Sequence, residues 1–132
     1  MSIRSEVVIC CESKAFNDYF KPILLKYKED YLPTISKTEE GYYIIYFEGI
    51  RWYYSDMVDE YEECFSKLNE LESVDDNKEA IDMEGLGYVM INVEESESIE
   101  RNGNMRGYDT CGYEVDACVK IDMPKATEIE LV

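Results

Sequence analysis

Thirty carboxylates are more than this chain can pair and bury, so most of them must stay in water. The sequence sets 30 Asp and Glu against 13 Lys and Arg, with no histidine, for a formal charge of −17. An unpaired carboxylate cannot be buried without a large desolvation cost. Any fold open to this sequence therefore needs a core built from acid-free segments, with the acids placed on the surface. The core material is present: 45% of residues are hydrophobic, 13% are aromatic and only three are proline, more than disordered acidic chains carry. At 132 residues the chain fits one compact domain, residues 1–132, with a single core.

The same charge balance excludes function classes. It opposes nucleic-acid binding through phosphate neutralisation, docking on an anionic membrane, and tight capture of a polyanion without a metal. A basic protein partner is favoured instead. The absence of histidine removes Ser-His-Asp and Cys-His nucleophiles, histidine metal sites and a histidine general base. Cys10, Cys11, Cys64, Cys111 and Cys118 are odd in number and contain no Cys-x-x-Cys, which suggests neither a disulfide framework nor a zinc ribbon. Free thiols in a reducing cytosol fit this pattern. The early apolar run Val7 to Cys11 is far shorter than a signal core or a membrane span. The expectation is a cytoplasmic protein with no metal, no cofactor and no membrane association.

Along the chain, residues 6–12 read as a continuous apolar strand buried on both faces of a sheet. Ser13 is a candidate cap for a helix whose stripe is Phe16, Tyr19, Phe20, Ile23, Leu24, Tyr27 and Tyr31. Pro22 interrupts it, so the helix either kinks there or begins near Lys21 with Pro22 in its first turn. Pro33 stops it. Residues 42–54 have strand composition, with Tyr43, Ile45 and Phe47 or their alternates packing inward and a break or turn at Glu48-Gly49. A second helix starts after Ser55, an N-cap residue, with Asp56 and Asp59 where the dipole favours acids. Val58, Tyr61, Phe65, Leu68 and Leu71 form its apolar stripe. Gly85-Leu86-Gly87 leads into a strand over residues 88–94, residues 95–107 read as a polar connection with a turn at Asn102-Gly103, and residues 113–123 as a closing strand. The last eight residues are either a tail or an edge strand. This order describes an α+β fold: a mainly antiparallel sheet of four to five strands with two helices on one face, ferredoxin-like topology being one candidate.

The acids are concentrated. Residues 56–100 hold sixteen Asp or Glu against Lys67 and Lys78, a local charge of −14, which leaves −3 for the rest. Asp56, Asp59, Glu60, Glu63 and Glu70 project from the side of the second helix opposite its stripe. They span roughly 21 Å at 1.5 Å per residue, a scale comparable with successive phosphates on a strand of nucleic acid. The plain alternative is that a helix must show water something polar, and Glu forms helices well; such crowding nevertheless costs stability through self-repulsion, which favours a use for the field. Sharper motifs fail. Asp75-Asp76-Asn77-Lys78-Glu79 lacks the ligand alternation and central glycine of a calcium loop, and Gly85-Leu86-Gly87 precedes a strand rather than a helix. Adjacent acids such as Glu62-Glu63 point apart and seldom share a substrate. The Cys10-Cys11 pair sits in an apolar strand, where a neutral buried thiol is expected.

Residues 88–95 (Tyr88-Val89-Met90-Ile91-Asn92-Val93-Glu94-Glu95), followed by Ser98-Ile99-Glu100-Arg101-Asn102-Gly103 and preceded by Ile50-Arg51-Trp52-Tyr53 and the acidic helix, resemble small phage-encoded accessory proteins. In size and acidity the chain is also similar to phage anti-defence proteins. These include anti-CRISPR and anti-restriction inhibitors that present carboxylates to the nucleic-acid channel of a host nuclease. The resemblance carries over no residue position by position. It implies a non-enzymatic inhibitor acting by charge mimicry, with a nucleic-acid-processing host defence protein as partner and no direct contact with nucleic acid.

On this reading the partner-binding residues are Asp56, Asp59, Glu60, Glu63, Glu70, Asp75, Asp76, Glu94, Glu95 and Glu97, with Tyr53 and Tyr54 as aromatic anchors beside the field. Two alternatives stand beside it. One is an immunity protein that neutralises a basic toxin. The other is a small-ligand sponge or enzyme, which requires Arg51, Arg101 and Arg106 to gather into a pocket.

Overall fold

Five apolar residues in succession, Val7 to Cys11, can be buried together only in a strand covered on both faces. They form the centre of β1 (Ser5–Cys11), and each is at most 4% exposed. The computed structural model describes residues 4–52, 55–72, 83–94, 99–111 and 126–130. After β1 come α1 (residues 13–26), β2 (Thr34–Thr38), β3 (Tyr43–Ile50), α2 (Asp56–Glu72), β4 (Tyr88–Glu94), β5 (Ile99–Gly103), α3 (Met105–Thr110) and β6 (Ala126–Glu128). The fold is α+β. Among the described residues one sheet carries six strands in the order β5-β4-β1-β3-β2-β6, every pair antiparallel. The inner four, β4-β1-β3-β2, have the split βαβ arrangement of ferredoxin-like folds, extended by one strand at each edge.

Alternation along β1 sends Val7, Ile9 and Cys11 to the face covered by α1 and α2, where they meet Phe20, Leu24, Phe47, Tyr61, Phe65 and Tyr88. Val8 and Cys10 face the other way and join Ile44, Val89, Ile91 and Cys111 in a smaller cluster. Aromatic rings knit the larger core: Phe16 stacks on Tyr43 at 4.1 Å and Phe65 on Tyr88 at 5.1 Å. Tyr43, Ile45 and Phe47 do pack inward.

Several elements differ from the sequence reading. Among the described residues the strands number six rather than four to five, and the helices three rather than two. The first helix begins at Ser13 with Glu12 at the N-cap position, so Ser13 does not cap it. Residues Phe16–Phe20 are wound as a π-helix in which the Lys21 N–H donates to the Phe16 carbonyl, and Pro22 follows at the start of the last α-helical segment. Pro22 has no N–H to donate, and the five-residue turn before it absorbs the lost bond. Glu48-Gly49 does not end β3. Ser5 pairs with Ile50 and Val7 with Phe47, so three steps on β3 oppose two on β1, a β-bulge with Gly49 at φ 59°.

Thr34–Thr38 forms a strand where none was expected, and its single deeply buried apolar side chain is Ile35. Residues 95–107 are not only a connection. Ile99–Gly103 pairs with β4, so Asn102-Gly103 lies within a strand rather than at a turn. A short helix follows, capped by Asn104, whose side chain accepts from the Gly107 N–H. The chain end supplies an edge strand, β6, paired with β2. The expected strand at 113–123 lies outside the described residues.

α3 sits so close to β4 that a Cβ on Gly107 would overlap the Tyr88 backbone. Backbone cannot yield as a flexible side chain can, so Gly107→Ala is expected to cost about 2–4 kcal/mol in urea denaturation.

Candidate functional site

α2 carries the largest group of sequence-predicted site residues. Its start is fixed by Ser55, whose Oγ accepts from the Val58 N–H at 3.2 Å. Val58, Tyr61, Phe65 and Leu68 are at most 3% exposed, and Leu71 packs against the same core. At about 100° per residue, Asp56, Asp59, Glu60, Glu63 and Glu70 share one sector about 100° wide, across the helix axis from that stripe. Asp56, Asp59, Glu63 and Glu70 are exposed and Glu60 is half-buried. Glu62 turns away from this ridge towards β5, so the Glu62-Glu63 pair points apart as expected.

The ridge is partly neutralised from below. Lys26, in the last turn of α1, reaches Glu60 at 3.0 Å, and Lys67 meets Glu63 at 3.2 Å one helical turn away. Hydrogen bonds from Tyr27 and then Lys26 hold the Glu60 carboxyl below its usual range. Exposed pairs of this kind add little stability and are screened by salt. Asp56, Asp59 and Glu70 have no ion-pair partner among the described residues.

Glu94 stands apart from the ridge. It pairs with Ser5 at the end of the sheet and lines a shallow cleft of about 160 Å³ with Arg4, Ser5, Glu6, Gly49 and Val93. Asp75, Asp76, Glu95, Glu97, Tyr53 and Tyr54 lie outside the described residues. Trp52, their neighbour, is a core residue: it is 8% exposed and packs on Phe47 at 5.2 Å and Tyr61 at 5.7 Å.

The three arginines of the ligand-pocket alternative do not gather. Arg51 follows Ile50, which pairs with Ser5 at one end of β1. Arg106 is bound to Glu12, beyond the other end, a distance of about 23 Å at 3.3 Å per residue. Arg101 sits between them on β5, opposite Ile91. Burial pushes the Cys11 thiol up, as expected for an inert core cysteine. Among the described residues no three Asp, Glu, Cys or His side chains cluster as a metal-binding group, and no helix is long and apolar enough to cross a membrane.

Reading residues in sequence misses the one deeply buried acid among the described residues. Glu12, 9% exposed, accepts from Arg106 Nε at 2.7 Å and Nη2 at 3.2 Å, and from the backbone N–H groups of Gly85 at 3.1 Å and Gly87 at 3.2 Å. The donors lie 73 to 94 residues away, so no local signal announces them. Each carboxylate oxygen accepts one Arg106 and one backbone N–H, which ties the end of β1 to α3 and to the Gly85–Gly87 segment.

Comparison with known proteins finds no matching family model, no matching curated protein and no matching solved structure.

Replacing Glu12 with Gln would turn an amide N–H towards a donor. Glu12→Gln is expected to lose about 2 kcal/mol or more of unfolding free energy at neutral pH, measured by urea titration.

Proposed function

We propose that this chain is a non-enzymatic acidic binding protein, a phage anti-defence inhibitor whose α2 ridge occupies the basic nucleic-acid-binding site of a host nuclease or CRISPR effector. The observation that supports this reading is the placement of five carboxylates in one sector of α2, opposite its buried stripe, with Asp56, Asp59 and Glu70 left without counter-ions among the described residues. Five charges over roughly 21 Å give one per about 5 Å, the same order as the 3.4 Å spacing of charges along one nucleic-acid strand. A rigid helix holds that spacing without further ordering on binding. Like charges so arranged repel one another, a cost that the helix dipole and two exposed ion pairs offset only in part, whereas a cationic groove is drawn to them at long range.

The test compares immobilised wild-type protein with the Asp59→Lys, Glu63→Lys, Glu70→Lys triple variant in capture from host lysate. The wild type is expected to retain a nucleic-acid-processing protein at low salt and release it at about 0.5 M salt. With the purified partner, wild type inhibits nucleic-acid binding. The variant associates at least about tenfold more slowly, while its thermal melting stays close to wild type. A variant that associates as fast as wild type would overturn the proposal.

A further inference from the structure

The seam between α2 and the β4-β5 edge carries polar groups on both sides of the Phe65–Tyr88 stack. In antiparallel pairs, residues directly opposite each other project from the same face. Asn102 pairs with Met90 and Glu100 with Asn92. Met90 belongs to the core under the helices, so Asn102, Asn92 and Glu100 all project to the α2 side. At the Asn102 end the polar atoms are matched. The Tyr88 hydroxyl lies 3.1 Å from Asn69 and 3.0 Å from Asn102, and Asn69 donates to Asn102.

The other end is not matched. Asn92 is 2% exposed, yet its Oδ1 is buried without a hydrogen-bond partner. Two turns along α2 from Asn69 stands Glu62, half-buried and receiving the Trp52 indole N–H at 3.2 Å on one carboxylate oxygen. Burial holds the Glu62 carboxyl above its usual range against that hydrogen bond, and the charges of Glu100 and Asp59 add to the rise. Among the described residues no Lys or Arg pairs with it. Oxygen acceptors thus arrive from α2, β4 and β5, and among the described residues one N–H donor reaches them.

We infer that Glu62, Glu100 and Asn92 Oδ1 form a binding site for a hard divalent cation of the calcium or magnesium class, with water completing the coordination on the exposed Glu100 side. An all-oxygen set of two carboxylates and one amide carbonyl suits such ions and disfavours thiophilic metals. A cation there supplies the positive charge the seam lacks, satisfies the orphan oxygen and joins α2 to the sheet edge. Glu62 turns away from the ridge, and Asp59 is the ridge acid whose charge reaches it.

Terbium is the probe, because Trp52 is the single tryptophan and its ring touches the site through Glu62. Terbium bound there is excited through the indole. Titration of the full chain, excited at the red edge of the tryptophan band, is expected to give saturable sensitised emission that excess calcium displaces. Glu62→Gln and Glu100→Gln, both near-isosteric, weaken the apparent affinity at least about tenfold, and Asn92→Asp strengthens it. Calcium raises the wild-type melting temperature and leaves that of Glu62→Gln unmoved. A Glu63→Lys, Glu70→Lys ridge variant, which leaves Asp59 beside Glu62 in place, keeps the wild-type emission. Absence of sensitised emission overturns the inference, as does emission lost in the ridge variant but kept in Glu62→Gln and Glu100→Gln, which marks diffuse binding to surface acids.

Discussion

A strand buried on both faces has no room for charge, and the rest of this molecule is arranged around that restriction. β1 is flanked by β3 and β4 and covered above and below. The acids at its two ends meet different fates. Glu6 is exposed and receives the Tyr46 hydroxyl at 2.6 Å. Glu12 is drawn inside, and it is tolerated there because four donors converge on it. That convergence draws the Gly85–Gly87 segment and α3 to the end of β1, so the demand of one carboxylate organises three distant pieces of chain.

The remaining acids are pushed to the rim, and α2 takes a large share because an amphipathic helix separates its faces more sharply than a strand at a sheet edge. The separation is graded. Glu60 and Glu63 are answered by Lys26 and Lys67, Glu62 leans into the seam beside Trp52, and Asp56, Asp59 and Glu70 look outward. A helix whose polar side reads as uniformly acidic in sequence thus presents a compensated flank, a polar seam and an open strip. The strip bears on the proposed inhibitor function and the seam on the proposed cation site.

What could be read in advance follows the strength of periodicity. β4 was legible at both ends, residues 88–94, because its apolar run is bounded by glycine and by acids. α2 was legible because Ser55 and the stripe from Val58 to Leu68 agree. β2 and β5 were not, and β6 only as one of two options for the chain end, since strands at or next to a sheet edge are held by backbone hydrogen bonds that almost any side chains permit; β5 buries none of its side chains deeply. α3 depends on Asn104 bonding to Tyr88, Leu86 and Gly107, contacts that exist only after β4 is in place. At the candidate site, the sector shared by Asp56, Asp59 and Glu70 follows from helical geometry alone. The Lys26–Glu60 bridge spans 34 residues and the orphan oxygen of Asn92 arises from strand pairing; neither leaves a mark in the linear order.

The π-helical stretch of α1 holds one residue more than an α-helix of regular pitch would over the same hydrogen-bonded turn. That surplus offsets the angular phase of the segment before it from the segment after it by about one residue, or 100°. Phe16 can thereby stack on Tyr43 while Phe20 and Leu24 reach the interior under α2. Excising a single residue between Phe16 and Phe20 would restore regular pitch and swing the helix start out of phase with the sheet, carrying Glu12 away from its donors. The irregular winding is thus a phase corrector between strand and helix, and the chain length there is set to the residue.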